Sequence, residues 1–388
     1  MPRLDDSLQL VERLCARDDL STDDPYDVWK TGLGFAVKNL FNRHRGLGAI
    51  PAAALTLFDA YPNNQLRIGY RRQEYPIVRA WAALALLNSA ERTGKLHLRA
   101  AALKHLEWLR DHSCQGYSGP CWGLGFRNAV SAGLVYDGNM PLTTMTPYAL
   151  EAFVRYTTLT GNLQFVPVIR GIHAFYDRDV RILEETNDYV VLSYAAMYDR
   201  RVINAQSYSL LSLGLLRPYV SSTENESVTT RMRKLYEYIV RNQQEDGSWL
   251  YSPDGRSFID CFHSCIVLKN IEKVSRLIEL PNVEAVVARG YAYLLRNFQV
   301  EKTGLFKRFS KANKPGIVRY DLYDNAEMLN LAILRGDRTL AAALARAIEK
   351  HFVRGDDVFS QIDWLGLRRN RNMLRWAVMP YLYALSLL

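Results

Sequence analysis

Asp260 and His263 are the two side chains of this sequence whose types and spacing point most directly to chemistry. A spacing of three residues places both on one face of a helix. A carboxylate beside an imidazole can perform general acid and base catalysis. In the alternative interpretation, Asp260 only caps a helix and His263 lies in the core. We predict a catalytic role for both residues.

A second pair of acidic residues, Asp321 and Asp324, has the same spacing later in the chain. Two carboxyl groups across a cleft suit glycoside hydrolysis, in which their separation decides the stereochemical outcome. Tyr208 and Tyr320 are alternative groups for moving a proton α to the carboxylate of a uronic acid. We predict that catalytic residues come from these four positions and from the pair described above.

The predicted substrate-binding residues are basic, aromatic or amide-bearing. Arginine matches carboxylates bidentately, aromatic rings stack on sugar faces, and amides read hydroxyl groups. Such a set favours an acidic, uronate-containing oligo- or polysaccharide as the partner, with Arg71, Arg319 and Arg371 holding its carboxylates. The predicted binding residues are Arg71, Arg72, Tyr75, Trp122, Asn204, Gln206, Trp249, Arg319, Arg368, Arg371, Arg375 and Trp376.

Signals for metals, cofactors and nucleic acids are weak. Cys261 and Cys265 lie four residues apart with His263 between them, but on a regular helix the imidazole would face away from both thiols. The sequence has no phosphate-binding loop, dinucleotide fingerprint, nucleophile elbow or zinc-protease motif. It also has no recognisable nucleic-acid-binding module. We therefore expect no metal, no cofactor and no nucleic-acid partner.

Charge and composition indicate which partners and which compartment to expect. The net charge of +9 favours anionic partners in general. No apolar run reaches the ~20 residues of a membrane-spanning helix, and the first residues lack the basic start and apolar core of a secretory signal. Five cysteines fit a reducing location, and their odd number means that they cannot all pair within the chain. We expect a cytoplasmic protein.

Helical periodicity dominates the chain and supplies the elements that position these residues. Six segments carry apolar residues at i, i+3, i+4 and i+7 opposite a charged face, which predicts outer helices. Each is followed by a loop and by a second, more uniformly apolar helix, as expected of a buried element. The predicted outer helices are 28–43, 96–111, 163–177, 228–243, 283–298 and 338–352. The predicted inner helices are 75–90, 144–158, 206–216, 260–274, 321–334 and 371–387.

Repeated helix pairs joined by long loops predict an all-α fold, an (α/α)6 toroid of six helical hairpins. β-prone segments at 189–194, and at 248–251 before a turn at 253–255, predict short β-hairpins in the rim loops. We expect residues 1–27 to form an N-terminal arm or lead-in helix, and residues 28–388 to form a single toroid domain. Every inner helix should begin at the same rim, where free N–H groups and positive helix ends converge on one cleft.

Two sequence stretches resemble a known superfamily. Gln-Glu-Asp-Gly-Ser-Trp at 244–249, followed by Ile-Asp-Cys-Phe-His-Ser-Cys-Ile-Val-Leu at 259–268, resembles the α/α toroids that include squalene-cyclase-like and six-hairpin glycosidase proteins. With Val-Ile-Asn-Ala-Gln-Ser-Tyr at 202–208, the chain resembles toroid proteins of bacterial polysaccharide biosynthesis and, distantly, the helical domain of glucuronyl C5-epimerases.

That resemblance implies an enzyme that acts on an acidic polysaccharide by lysis or C5 epimerisation. It carries over no catalytic residue, so the residues named above rest on their own chemistry. The alternatives are a glycoside hydrolase that uses paired carboxylates and a non-catalytic protein that binds or assembles a glycan.

Overall fold

Helices and short strands are described here from a computed structural model that covers residues 4–254 and 257–388. The α-helices are α1 (Leu4–Cys15), α2 (Asp27–Lys30), α3 (Gly32–Arg43), α4 (Arg45–Ala60), α5 (Pro62–Leu66), α6 (Pro76–Thr93), α7 (Leu96–Asp111), α8 (Thr146–Thr160), α9 (Val166–Ala174), α10 (Ile203–Leu216), α11 (Ser222–Arg241), α12 (Cys261–Ser275), α13 (Val283–Phe298), α14 (Leu322–Leu334), α15 (Arg338–Phe352) and α16 (Met379–Leu387). The strands are β1 (Asn128–Ser131), β2 (Leu134–Tyr136), β3 (Ile182–Glu185), β4 (Val190–Leu192), β5 (Ile259–Asp260), β6 (Gln299–Val300), β7 (Leu305–Phe306), β8 (Phe309–Lys311), β9 (Val318–Asp321), β10 (Val353–Arg354), β11 (Asp357–Asp363) and β12 (Arg368–Arg371).

Helices α6, α8, α10, α12, α14 and α16 form a closed inner ring in which each packs on the next and α16 returns to α6. In α6 every residue from Ile77 to Ala90 is buried. Burial all round is what the uniformly apolar sequences of these helices require, because each helix has neighbours on every side. The predicted all-α toroid is confirmed.

The sixth inner helix begins later than the sequence suggested. The predicted segment 371–387 first continues strand β12 and then forms a π-type turn, and regular α-helix starts only at Met379. Ala377 has a φ of 86° and Trp376 is also non-helical, so the chain kinks there. A backbone in that conformation cannot continue an α-helix.

The outer ring consists of α1, α7, α9, α11, α13 and α15, which pack against the inner helices. The prediction that 28–43 forms the first outer helix is wrong. That segment makes α2 and α3, which pack on α4 and β1 at the rim, while α1 packs on α6 and α16. Val11 and Cys15 of α1 are fully buried there. We therefore propose that the toroid domain begins at α1 rather than at residue 28.

Short strands connect the helices at the rim. β1 pairs with β2, β3 with β4, β6 with β7 and β5 with β8, all antiparallel, and β11 pairs with β9, β10 and β12. Short antiparallel pairs are thus present at the rim, and the predicted segment 189–194 contains β4. Residues 248–251 lie wholly within the described ranges and form no strand, and the turn predicted at 253–255 includes Gly255, which lies outside them.

Candidate active site

The starting ends of four neighbouring inner helices are joined by direct contacts. Tyr148 in the first turn of α8 shares a hydrogen bond between hydroxyl groups with Tyr208 of α10. One carboxyl oxygen of Asp324 in α14 accepts a hydrogen bond of 2.9 Å from the backbone N–H of Phe262 in α12. Phe262 also packs edge to face on Tyr323, the residue before Asp324. Residues far apart in sequence therefore become neighbours at one rim.

The remaining rim positions join the same cluster. The indole N–H of Trp376, ahead of α16, donates to Asp321 at 3.0 Å. The guanidinium carbon of Arg375 lies 5.4 Å from the ring centre of Tyr75, the residue before α6. Arg375 also forms a buried ion pair with Asp24. These contacts join the segment before α16 to the starts of α14 and α6, as the contacts above join α8 to α10 and α12 to α14.

His263 is held by Asp260 in a carboxylate–imidazole pair. The Nδ1 atom of His263 lies 2.7 Å and 2.9 Å from the two carboxyl oxygens of Asp260. Asp260 is buried, whereas the side chain of His263 is 20% exposed. Because Nδ1 is engaged, Nε2 is the ring nitrogen left for a substrate. Asp260 occupies the N-cap position of α12, but its side chain makes no capping bond within the described ranges, so the capping interpretation is wrong.

Aromatic rings and one amide surround this pair. The ring centres of Tyr251 and Phe262 lie 4.6 Å and 3.8 Å from that of His263. A small cavity beside the imidazole is lined by Asn204, Asp260 and Tyr251, among others. The volume of this cavity is about 10 Å³, room for about one water molecule, so it is the composition of its lining, flat apolar faces next to a polar amide, that suits a sugar.

Asp321 is an anchor of the rim. Its carboxylate accepts hydrogen bonds from the indole of Trp376, from Gln361 Nε2 at 3.0 Å and from Arg308 Nη1 at 3.2 Å. It also caps α14 by accepting from the backbone N–H of Tyr323 at 2.9 Å. With both oxygens occupied and the side chain fully buried, Asp321 positions its partners rather than contacting a ligand.

Asp324 differs from Asp321 in the hydrogen bonding of its carboxyl group. It is fully buried, and its second carboxyl oxygen has no hydrogen-bond partner among the residues that the structure describes. Burial, reinforced by the charge of Asp321, raises the pKa of Asp324 well above its ordinary range, although Arg308 opposes this. Burial therefore favours the protonated form of Asp324, which can donate a proton but not accept one.

The two predicted catalytic tyrosines differ in position. Tyr208 lies inside the ring, where burial raises its pKa and that of Tyr148 well above the usual value. It keeps its proton at neutral pH and suits an acid rather than a base. Tyr320 lies in β9, and its hydroxyl is 3.4 Å from that of Thr303, at the β6–β7 turn. The contacts of Tyr320 do not include any member of the Asp260–His263 pair.

A group of cations lies at the mouth, and sequence analysis missed all of its members. Arg308 bonds Asp321, lies 5.9 Å from the ring of Trp376, and has a buried Nε atom that finds no acceptor in ranges 4–254 and 257–388. Lys38 Nζ donates to Asn128 at 2.7 Å and lies 5.5 Å from the ring of Tyr26.

The positive charges of this group repel one another, and burial together with this repulsion lowers the pKa values of its lysines. Burial, followed by the charge of Lys314, lowers the pKa of Lys38 to about 8. Desolvation and the charges of Arg308 and Arg45 lower the pKa of Lys314. Like charges held close together favour the binding of an anion between them. These residues lie in α3, α4 and rim loops, and no local spacing within those segments distinguishes them from other surface cations.

Three predicted binding residues make structural hydrogen bonds to the backbone. The buried indoles of Trp122 and Trp249 donate to the carbonyls of Leu109 at 3.0 Å and Ile239 at 2.9 Å. Gln206 is fully buried and clamps the backbone of Leu192, with 2.8 Å to both its N–H and its carbonyl. Trp122 and Gln206 present no free polar group or ring face to a substrate, so those two predictions are wrong, whereas Trp249 borders the cavity beside His263.

The predicted arginine clamp is not assembled. Arg71, Arg72, Arg319, Arg368 and Arg371 are all exposed. Arg368 binds the carbonyl of His351 at 2.7 Å, Arg371 pairs with Asp357 at 3.4 Å, Arg72 binds the carbonyl of Ser21 at 2.8 Å, and Arg319 lies over the rings of Tyr320 and Trp364. Among the predicted arginines, Arg375 belongs to the cluster. The predicted binding residues Tyr75, Asn204 and Trp376 belong to it as well.

In the part of the chain that the structure describes, no group of three His, Cys, Asp or Glu residues is arranged to hold a metal ion. The sulfur atoms of Cys261 and Cys265 are buried 3.9 Å apart, and His263 turns instead to Asp260. No helix across the described ranges is long and apolar enough to cross a membrane.

The fold and the position of the cluster define the class: an α/α toroid of six helical hairpins, with polar residues at the starting ends of its inner helices. Among solved structures, cellobiose 2-epimerase from Bacillus thermoamylovorans is similar at 11% identity and a TM-score of 0.62, over 81% of this chain and 87% of that one. An α-mannanase of glycoside hydrolase family 76 from Bacteroides thetaiotaomicron is similar at 11% identity and a TM-score of 0.59, over 81% and 85%.

An unsaturated glucuronyl hydrolase from Bacillus sp. GL1 is similar at 13% identity and a TM-score of 0.51, over 87% of this chain and 96% of that one. Neither a family model nor a curated protein sequence matches the chain. Similarities at these identities establish the architecture alone.

Proposed function

We propose that this protein is a carbohydrate-processing enzyme that acts on an acidic, uronate-containing saccharide, with His263 as the base. The observation that carries the proposal is the pair formed by Asp260 and His263, in which Nε2 has no hydrogen-bond partner among residues 4–254 and 257–388, at the rim where the cations Arg308 and Lys38 also lie. The solved toroids named above, which include an epimerase and a glucuronyl hydrolase, support carbohydrate chemistry on this architecture.

The proposed reaction is proton transfer at the carbon next to a uronate carboxylate. Nε2 of His263 removes the C5 proton, and Asp260 stabilises the resulting imidazolium ion through Nδ1. A cation such as Arg308 or Lys38 neutralises the carboxylate, which lowers the cost of the carbanion-like intermediate. Return of a proton to the other face of C5 gives epimerisation, and loss of the substituent at C4 gives lysis. Tyr208, which keeps its proton, is the candidate donor, and this role requires its buried hydroxyl to leave that of Tyr148 and turn towards the substrate.

A glycoside hydrolase is the second candidate, and the raised pKa of Asp324 favours it. A carboxylic acid with a raised pKa can protonate a glycosidic oxygen, while Asp260 acts as the partner carboxylate. The full burial of Asp324 weighs against this alternative, because the acid must reach the scissile bond. Asp321 suits neither role, because its two oxygens are occupied.

Incubation with uronate oligosaccharides in deuterated water distinguishes the functions. Deuterium at C5 without cleavage indicates an epimerase, and absorbance of an unsaturated sugar indicates a lyase. New reducing ends without that absorbance indicate a hydrolase. Binding without any chemical change, or no interaction with uronates, contradicts the proposal. Because the resemblance to polysaccharide-biosynthesis toroids motivates the choice of probe, oligosaccharides of glucuronate, mannuronate and galacturonate are all tested.

A further inference from the structure

The helical hairpin formed by α3 and α4 presents apolar side chains to solvent. In α4, Leu47 is 73% exposed and Ile50 is 79% exposed, and Leu57 and Phe58 continue the same stripe. Ile50, Leu57 and Phe58 follow Leu47 by three, ten and eleven residues, which places all four on one helical face. An ordinary surface helix turns that face inward. Here the apolar face of α4 is the solvent face.

The same inversion occurs in α3, where Leu33 and Leu40 are exposed. The hairpin is closely packed in spite of this, because a Cβ atom added at Gly48 of α4 would lie only 2.3 Å from the Cα of Phe41 in α3. Asn64, just after α4, bonds Asn370 at 3.0 Å and so ties the segment to the rim. The exposed leucines are therefore displayed by an ordered element.

The charges around this face have one sign. Residues 32–72 contain six Lys or Arg residues and a single carboxylate, that of Asp59. Asp59 accepts hydrogen bonds of 3.0 Å from Asn63 and Tyr70, so its charge is directed inward. Arg43, at the end of the α3 stripe, and Arg45, at the start of α4, are exposed. A face that combines apolar residues with cations, and lacks exposed carboxylates, complements the surface of an anionic bilayer.

We propose that the outer face of α3 and α4, defined by Leu33, Leu40, Leu47, Ile50, Leu57 and Phe58, docks on an anionic lipid membrane. The leucine, isoleucine and phenylalanine side chains enter the interface, and the arginines meet the lipid phosphates. A second copy of the chain fits this face less well, since a two-fold contact would bring arginines of the same patch together. Lys38 of α3 borders the candidate active site, so docking holds its mouth beside the headgroups. This inference is independent of the chemistry at His263.

Flotation with lipid vesicles tests the proposal. The wild-type protein is expected to float with vesicles that contain phosphatidylglycerol, to bind pure phosphatidylcholine vesicles weakly, and to release as salt increases. The triple variant Leu47→Ser, Ile50→Ser and Leu57→Ser is expected to lose at least about tenfold in partitioning. Because these side chains are exposed, the variant is expected to fold, which circular dichroism checks.

A matched control replaces Leu96 and Leu163 with Ser, because these leucines are 69% and 68% exposed on other parts of the molecule. The control is expected to bind vesicles like the wild type. Absence of wild-type flotation at low salt would overturn the proposal, as would equal binding by the triple variant. A wild-type dimer that becomes monomeric in the triple variant, with no vesicle binding in either, would assign the face to a second copy instead.

Discussion

Asp24 and Arg375 are separated by 351 residues and form a buried ion pair in which Arg375 Nη2 donates to Asp24 Oδ1 at 2.7 Å. Burial opposes ionisation of Asp24, but the charge and hydrogen bonds of Arg375 lower its pKa below the ordinary value. Arg375 also lies against Tyr75 and against Tyr26, 5.4 and 5.5 Å from their ring centres. The pair therefore ties the loop after α1 to the segment that starts the last inner helix.

Replacement of Asp24 with Asn is expected to destabilise the fold by about 3–5 kcal/mol, because it leaves the guanidinium of Arg375 buried without its counter-charge. The free energy of unfolding from urea titration measures this. The matched control is Asp18→Asn, which removes the partner of Lys104 in an exposed pair and should leave the unfolding curve unchanged. Equal curves for wild type and Asp24→Asn would show that the pair does not hold the rim together.

His105 predicts a pH dependence of stability. It is buried between α1 and α7, with Nε2 2.7 Å from the carbonyl of Cys15 and Nδ1 2.8 Å from Arg79. Burial lowers the pKa of His105 to about 4, from an ordinary value of 6.5. The unfolded chain therefore binds the proton first, so stability is complete above pH 6.5 and falls as the pH drops towards 4, by on the order of 3 kcal/mol.

The variant His105→Gln is expected to flatten this dependence, since its side chain does not titrate. Thermal unfolding of wild type and variant across that pH window measures the difference. The exposed His97, replaced with Gln, serves as the control and should keep the wild-type slope. If His105→Gln retained the full acid sensitivity, another group would be responsible.

Asp260 and His263 predict a specific pattern of activity loss. His263→Ala removes the proposed base and is expected to reduce kcat by at least about a hundredfold. The substrate is the uronate oligosaccharide that reacts in the incubation proposed above. Asp260→Asn changes the hydrogen bond at Nδ1 and is expected to cause a comparable loss, with little change in KM. His97→Ala and Asp188→Asn, at exposed positions, are the controls. Full activity in both site variants would remove these residues from the mechanism.

Lys38 predicts how binding depends on pH. Because its pKa is about 8, its positive charge is lost as the pH rises through that value. Affinity for an acidic saccharide, measured by calorimetry, is expected to fall over the same window. Lys38→Arg keeps its charge there and is expected to abolish the fall. An unchanged pH dependence in Lys38→Arg would mean that Lys38 does not contact the anion.

The lowered pKa of Lys38 also makes the free energy of unfolding depend on pH. The folded state disfavours the charged form of Lys38, so the unfolded chain holds the proton more tightly between pH 8 and 10.5. Stability is therefore expected to rise as the pH rises through this window. Lys38→Met should remove that part of the increase in the free energy of unfolding.

The chain's local patterns determined the toroid and the most reactive pair. A uniformly apolar helix such as α10 must be buried all round, and alternation with amphipathic helices leaves few architectures besides two concentric rings. The three-residue spacing of Asp260 and His263 survives folding because it is a property of one helical turn. Both conclusions depend only on residues close together in sequence.

Only the tertiary structure decided which polar groups meet. Trp122 and Trp249 could stack on a sugar or fill the core, and long-range packing buried them. Periodicity assigned 28–43 to the outer ring. In the structure α1 packs on α6 and α16 in that place, and α3 forms the rim hairpin with α4. Arg308 and Lys38 reach the mouth because loops and that hairpin fold across it. The electrostatic neighbours of a charge are set by contacts between distant segments, and no local spacing encodes them.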